Sequence, residues 1–345
     1  MAAVAHFDEE SQTLRVARES DVSEVRPSRP ILPTRQTHDT MLDDDSPVDV
    51  LKERSLARIG RVLAERYELL NLLGCGSAGA VYSAMDHVRG ERVAVKLLHE
   101  GLARSPEHVA RFEREARAAS SIGHSSVVKV LDIGRDERNC LFLVLELLEG
   151  EGLFFAISSG RLTVGDIVEI GRQLLGALAA AHARGIVHRD VKPENLFLAR
   201  EPSGALRLKL LDFGIAKYLD GDGASSFRTM DGLLIGTPHY MSPQVCMGIE
   251  ASADADLWAA GAVLYHAFAG EPPFDGDNIG DLLTRIVSSE APSLATRRPD
   301  LPEPVIDAID RALAKDPAGR WRSALAFSDA LHMGAVDIAG LDWDE

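Results

Sequence analysis

His188-Arg189-Asp190-Val191-Lys192-Pro193-Glu194-Asn195 sets an acid, a cation and an amide at fixed offsets on one short segment. Pro193 cannot continue a helix or sit in a central strand, so the segment reads as a loop. Asp190 can take a proton from an incoming hydroxyl. Lys192, two residues on, can neutralise a phosphoryl group in transit. Asn195, five residues on, can hold a divalent metal ion through its carbonyl oxygen. Two other segments carry matching chemistry. In Gly74-Cys75-Gly76-Ser77-Ala78-Gly79 the glycines let backbone amides approach a phosphate without a Cβ in the way. Taken alone, G-x-G-x-x-G is equally well an ordinary hairpin turn. Asp212-Phe213-Gly214 follows the apolar stretch Leu208–Leu211. An Asp there is either a metal ligand or a turn cap.

The elements that must position these groups change along the chain. Tyr67–Leu73 and Ala80–Met85 flank the glycine run, and a turn at Gly90 leads to Arg92-Val93-Ala94-Val95-Lys96-Leu97-Leu98. This reads as an antiparallel meander. A dinucleotide fingerprint or a P-loop would open a helix, and no Gly-Lys-Ser/Thr ending follows. Val109–Ser121 has helical spacing, while Val127–Ile133 and Leu141–Leu145 read as strands. Past Gly150 the pattern turns helical. Val164–Arg184 ends at Gly185, a good helix stop, and Asp254–Gly270 and Pro304–Lys315 are further apolar helices. The chain is therefore mostly β first and mostly α second, with a hinge near Glu146–Gly150. Residues 1–60 hold Pro27, Pro30, Pro33 and Pro47, the run Asp43-Asp44-Asp45 and no sustained period. They are expected to form an acidic, mostly disordered tail. A short helix at Val50–Ile59 fits within it, and order is expected from near Tyr67. Gly334–Glu345 is expected as a loose acidic tail.

Composition bounds the function. A chain of 345 residues has room for two lobes, and 46% hydrophobic residues can build a core. The net charge of −16 argues against a nucleic-acid binder and against docking on an acidic membrane surface. Cys75, Cys140 and Cys246 are odd in number and have no metal spacing, which suits a reducing cytoplasm. No apolar run reaches about 18 residues, so no membrane span is expected. The N-terminus lacks an apolar signal core.

The His188–Asn195 loop resembles the catalytic loop of protein kinases, H-R-D-x-x-x-x-N. With the strand-flanked glycine run, Val93-Ala94-Val95-Lys96 and Asp212-Phe213-Gly214, the chain resembles bacterial eukaryotic-like (Hanks-type) serine/threonine protein kinases over roughly residues 66–333. That resemblance implies an α+β, bilobal kinase-like fold with a β-rich small lobe (66–146) and an α-rich large lobe (150–333). It implies transfer of the ATP γ-phosphoryl to protein hydroxyls, with Mg²⁺ or Mn²⁺ as cofactor and autophosphorylation in signal transduction. Asp190, Lys192, Lys96 and Glu115 would be catalytic, and Asn195 and Asp212 would hold the metal. ATP would meet Leu73, Gly74, Cys75, Gly76, Ser77, Ala78, Gly79, Val81, Ala94, Lys96, Leu145, Glu146, Leu147 and Phe197. In this set Val81 and Ala94 match the adenine roof and Phe197 the floor. Leu145 matches the guard of the back pocket, and Glu146 and Leu147 would offer backbone groups. Singly, each apolar member is an ordinary core residue. Glu115 is the family's partner for Lys96. Glu113 is the structural alternative, about 200° round the same helix. Ala78 is smaller than the usual loop-tip residue.

The same resemblance extends outward. Gly236–Pro243 matches the segment that receives a protein substrate, with Thr237 bonded to Asp190 and Lys192. Lys192 itself points to serine or threonine as acceptor. Asp256 matches the aspartate that ties down the catalytic loop, an N-cap being the rival reading. Arg320 matches a late-domain arginine whose usual glutamate partner is replaced by Gln244. An unpaired buried charge would cost roughly 3–5 kcal/mol unless an acid such as Asp316 compensates or water reaches it. Arg189 would bind a phosphate on the activation loop. Thr229, eight before Thr237, sits at the usual acceptor position, and Asp231 stands where a second threonine is common. In the tail, Thr40 with Asp43 three residues on resembles a phosphothreonine motif read by forkhead-associated domains. Relatives often dimerise through the small lobe, so a homodimer is a further expectation. Two rival readings remain, a catalytically silent pseudokinase scaffold and a small-molecule phosphotransferase of similar fold.

Overall fold

Along Glu91–Leu98 the side chains alternate between two faces, as a strand requires. Val93, Val95 and Leu97 join one apolar cluster with Tyr82, Leu63 and Phe142. Ala94 and Leu98 join different clusters on the opposite face, the face that carries Lys96. This two-sided strand is the spine of the small lobe. The structure is a computed structural model that describes residues 3–8, 13–18, 47–76, 79–99, 105–201, 204–212 and 238–336.

In chain order the elements are β1 (Ala3–Asp8), β2 (Thr13–Arg18), α1 (Pro47–Leu56), β3 (Val62–Leu63), β4 (Tyr67–Cys75), β5 (Gly79–Asp86) and β6 (Glu91–Leu98). They continue with α2 (Pro106–Ile122), β7 (Val130–Arg135), β8 (Leu141–Glu146), β9 (Gly150–Gly152), α3 (Leu153–Ser158) and α4 (Val164–His182). The large lobe adds β10 (Leu196–Arg200), β11 (Leu206–Leu210), α5 (Pro243–Cys246), α6 (Ala253–Ala269), α7 (Ile279–Ser288), α8 (Glu303–Ala312) and α9 (Ala324–Val336). The small-lobe sheet runs β3-β4-β5-β6-β8-β7, with every pairing antiparallel. Arg66 staples it: its guanidinium grips both Asp86 oxygens at 2.8 and 2.7 Å and Asp132 at 3.3 Å. This grip holds the Asp86 carboxyl down at about 2.

Helix α2 starts where Ser105 accepts the His108 N–H and Pro106 takes the first turn, and it stops at Gly123 in the left-handed region. Its Phe112 and Ala116 pack on Leu98, Leu141 and Leu143. The large lobe is built around α6, buried on nearly every side from Ala255 to Phe268. Gly261 lets α8 come close, since a Cβ there would lie 2.7 Å from that of Ala312. Helix α4 begins in a capping box between Thr163 and Asp166. The β-then-α division expected from the sequence is the observed one.

Three described elements lie within the N-terminal 60 residues. β1 and β2 pair antiparallel and extend the large-lobe sheet to the order β1-β2-β9-β10-β11, so these residues are not featureless. The helix expected at Val50–Ile59 runs Pro47–Leu56, ahead of Tyr67 where order was expected to start. An isolated helix of that length is marginal in water. Tertiary contact supplies what its pattern lacks: Ser55 is buried, and the buried Tyr82 hydroxyl donates to the Ser55 carbonyl at 3.0 Å. At the other end α9 runs to Val336, beyond the expected limit of 333. The strand expected from Val127 starts only at Val130, because the stretch before it bridges to the large lobe: the Ser126 carbonyl accepts from Leu210 N–H and Val128 N–H donates to the Leu210 carbonyl.

Arg320 is fully buried, which makes its partner the main electrostatic question of the large lobe. The structure answers with Asp254, whose carboxylate lies 3.1 Å from Nη1. The expected compensator, Asp316, instead accepts the Ala318 N–H as a cap. Gln244 does what an amide can: its Oε1 accepts from Nη2 at 2.7 Å, and its Nε2 donates to the Lys315 carbonyl at 3.0 Å. The Ala314 and Lys315 carbonyls accept from Nε and Nη2, and the Trp258 ring lies under the guanidinium. Burial pushes Arg320 down to about 10, with Asp254 and Asp316 opposing, so it stays charged at neutral pH. We expect Asp254→Asn to lower the melting temperature by roughly 2–8 °C, as a loss of about 1–2 kcal/mol would in a domain of this size. Adding Gln244→Glu should recover most of the loss. Calorimetry showing no drop in the single variant would mean that Arg320 does not depend on Asp254.

Candidate active site

The glycine loop is the turn between β4 and β5. Gly76 N–H donates to the Gly79 carbonyl at 2.9 Å and closes it. Gly79 is glycine for steric reasons, since a Cβ there would sit 2.3 Å from the Leu97 carbonyl oxygen. Gly74 and Cys75 pair with Val81 and Ala80 in the ladder. Ser77 and Ala78 lie outside the described residues. Behind the loop, Leu73 and Ala94, with Val81, Leu145 and Leu147, make a small apolar cluster separate from both lobe cores. Five residues expected to enclose an adenine therefore meet at one place. Phe197 is buried on β10, between Leu196 and Leu198, which turn into the large-lobe core. Alternation sends its ring to the other side of the strand.

Glu146 departs in part from expectation. Its N–H already donates to the Lys129 carbonyl at 3.0 Å and so is not available to a base. Its carboxylate accepts from the Lys129 N–H at 2.9 Å and from Lys209 Nζ at 2.6 Å. This hinge residue thus joins the small lobe to β11.

Lys96 Nζ reaches Asp212 Oδ1 at 2.6 Å across the cleft. Glu115 lies on α2, and its side chain is outside what is described. Its rival, Glu113, pairs with Arg135 at 3.1 Å and Arg117 at 3.5 Å, facing β7 rather than Lys96.

Asp256 organises the loop that carries Asp190. Its two oxygens accept the backbone N–H groups of His188 and Arg189, both at 2.8 Å, and one also meets His182 Nε2 at 2.8 Å. Asp256 therefore ties the loop down rather than capping α6, whose N-cap is Ser252. The tie holds Arg189 at φ +70°, a costly backbone for a non-glycine residue. His188 uses both ring nitrogens. Nδ1 accepts the Asp190 N–H at 3.3 Å, so Nε2 carries the proton and donates to the Leu211 carbonyl at 2.9 Å. Asn195 places its amide nitrogen 2.8 Å from the Asp190 carbonyl and 3.0 Å from Asp190 Oδ2, which leaves its carbonyl oxygen as the group to offer a cation. Lys192 Nζ stands 3.2 Å from Asp190 Oδ2. Leu211 N–H donates to the Asn195 carbonyl at 2.9 Å, so Asp212 follows directly beside Asn195.

Asp212 and Asn195 are hard oxygen donors, which suits Mg²⁺ or Mn²⁺. No cluster of three or more His, Cys, Asp or Glu side chains forms among the described residues. A cation held here would complete its shell with phosphate oxygens and water, the habit of Mg²⁺. Arg189 meets Glu250 at 3.1 Å. Phe213, Thr229, Asp231 and Thr237 lie outside the described residues, as does Thr40. His182, Lys209, Asp254 and Glu250 were not anticipated. Each acts on a group far along the chain, and no local spacing announces it.

Comparison with known proteins agrees with this geometry. Residues 67–332 match the protein kinase domain family. The serine/threonine-protein kinase pkn3 of Myxococcus xanthus is 38% identical over 282 residues, covering 81% of this chain and 51% of that protein. PknA of Mycobacterium tuberculosis is 37% identical over 279 residues, covering 79% and 62%. The chain thus spans about half the length of the curated relatives it matches. The crystal structure of the Mycobacterium tuberculosis PknI kinase domain aligns with a TM-score of 0.61 at 29% identity, over 80% of this chain and 98% of that one. With Asp190, Lys192 and Asn195 gathered on one loop facing Lys96 and Asp212, and with a family match spanning both lobes, the chain belongs to the protein kinase domain family.

Proposed function

We propose that the chain is an ATP-dependent serine/threonine protein kinase that transfers the γ-phosphoryl in line to a protein hydroxyl and also phosphorylates itself. One observation carries this reading: Lys192 and Asn195 converge on the Asp190 carboxylate while Lys96 meets Asp212 beside Asn195. Asp190 orients the acceptor hydroxyl and takes its proton. Lys192 neutralises charge on the transferring group, and Lys96, partnered by Glu115, fixes the α- and β-phosphates. The apolar cluster of Leu73, Val81, Ala94, Leu145 and Leu147, with Phe197, takes the adenine. Mg²⁺ or Mn²⁺, held by Asp212 and Asn195, supplies neutralisation of the β- and γ-phosphates. Lys192 and Thr237 favour Ser or Thr as acceptor.

The intact cluster argues against a silent scaffold, and the Gly236–Pro243 segment argues against a small-molecule phosphotransferase. No disulfide joins Cys75, Cys140 and Cys246, which supports a reducing compartment, the cytoplasm. No described helix is long and apolar enough to cross a membrane. A homodimer through the small lobe belongs to this reading as a proposal.

Lys96→Ala and Asp190→Asn should each reduce phosphate incorporation by at least about 100-fold, the scale of losing a positioned acid–base or charge-stabilising group. Mapping phosphosites after Mg-ATP beside the Asp190→Asn control tests this. Wild-type incorporation at variant background on several protein acceptors would reject the enzyme. A phosphate on Thr229 would compete with Glu250 for Arg189, and Thr229→Ala should slow transfer several-fold. Equal rates for phosphorylated and dephosphorylated enzyme would remove that control. A phosphothreonine at Thr40 would bring about −1.5 to −2 charges for an arginine-lined forkhead-associated pocket. A Thr40 phosphopeptide should bind such domains from the same organism and its plain form should not; indistinguishable binding would end the idea.

A further inference from the structure

We infer that the nucleotide loop is held by a two-point clamp, Ser55 of α1 at Cys75 and His99 at Gly76. By this inference the segment ahead of the kinase domain sets the affinity for ATP. The inference rests on the kinase reading above.

The loop needs outside support. β4 slips register against β5 twice before the loop, between Leu69 and Asn71 and between Leu72 and Gly74. Such bulges bend a strand and weaken its ladder. The glycines beyond them add conformational freedom that nucleotide binding must remove. Cys75, the last residue of β4, turns its side chain to the outer apolar cluster rather than into the cleft. There its Sγ lies 3.5 Å from Ser55 Oγ. The Ser55 hydroxyl proton is directed to the Leu51 carbonyl at 2.7 Å, so the thiol is the donor of the pair. Ser55 is itself immobilised, because it is 3% exposed and its carbonyl accepts from the buried Tyr82 hydroxyl. A fixed oxygen thus receives the arm of the loop.

The second contact is made one residue further along the loop. His99, three residues after Lys96, places Nε2 2.7 Å from the Gly76 carbonyl oxygen. A ring N–H there holds the oxygen away from the phosphate path. A loop that cradles phosphate must present N–H groups and turn its carbonyls aside. Gly76 N–H is bonded to the Gly79 carbonyl, so both backbone groups of this residue are held. Ser55 lies before residue 67, where the family match begins, so this half of the clamp is an addition to the domain.

The test uses the full chain with a fixed protein acceptor and varied ATP. Ser55→Ala combined with His99→Ala should raise the KM for ATP about 5-fold or more, since preorganisation acts on binding, while kcat stays within about 2-fold. Ser55→Ala alone should carry at least half of the shift on a logarithmic scale, and His99→Gln in place of His99→Ala, whose amide can still donate, should recover only the His99 part. Titration calorimetry with Mg-ATP should show the same weakening without turnover, and the melting temperature should fall by no more than about 2–4 °C, the scale of one lost buried hydrogen bond. Unchanged KM and unchanged Kd for ATP in the double variant would overturn the clamp. So would a fall in kcat and melting temperature with no change in Kd. If the wild type transfers no phosphate at all, the kinase reading fails, and the calorimetric Kd still decides the clamp.

Discussion

The buried carboxylate of Asp256 is the interaction on which the site depends. A charge in a dry interior is tolerated when its lone pairs are filled, and here three donors fill them. They come from the end of α4 and from two consecutive loop amides, while the acid sits on α6. Two long helices therefore fix a loop that has no repeating structure of its own. The unfavourable φ of Arg189 persists because this grip over-determines it. From there the order is relayed: His188 reaches the Leu211 carbonyl, Asp212 follows, and Lys96 of the small lobe meets Asp212. The helical core and the glycine-loop sheet are connected through a handful of polar contacts at the floor of the cleft.

Arg320 shows the same physics solved in another way. At the position where the kinase resemblance implies a glutamate, the chain has an amide and takes its negative charge from Asp254, ten residues further along the sequence. Gln244 gives an acceptor to the guanidinium and a donor to the Lys315 carbonyl at once, which a carboxylate cannot do. The substitution moves the charge by one helix without leaving the arginine unpaired.

The parts legible in sequence were those with short, local spacing. His188–Asn195, Gly74–Gly79, Val93–Lys96 and Asp212 announce their chemistry within a few residues, and the alternation along β6 separates the cleft face from the outer face. Glu113 against Glu115 was an open choice on helical angle, and the Arg135 contact removed Glu113 from it. What could not be read was long-range. Asp254, Glu250, His182 and Lys209 each complete a group that lies 61 or more residues away. Helix α1 was expected three residues late at each end because its stability comes from burial against Tyr82 and not from an amphipathic pattern. The N-terminal strands were missed because the prolines and acids that follow them dominated the reading of that stretch.

Glu146 has a mechanical meaning. It touches the small lobe at Lys129 and the large lobe at Lys209, so it marks the pivot between them. Ala94 and Leu145 are paired directly beside it, whereas Gly79 is paired with Leu98 at the far end of the same strand. From Val93 to Leu98 that strand extends about 17 Å at the usual rise. A rotation about Glu146 therefore sweeps the glycine loop through a wide arc and leaves the apolar slot nearly still. A cleft hinged in this way would open like a door hung beside Ala94 and Leu145, widening most at the glycine loop.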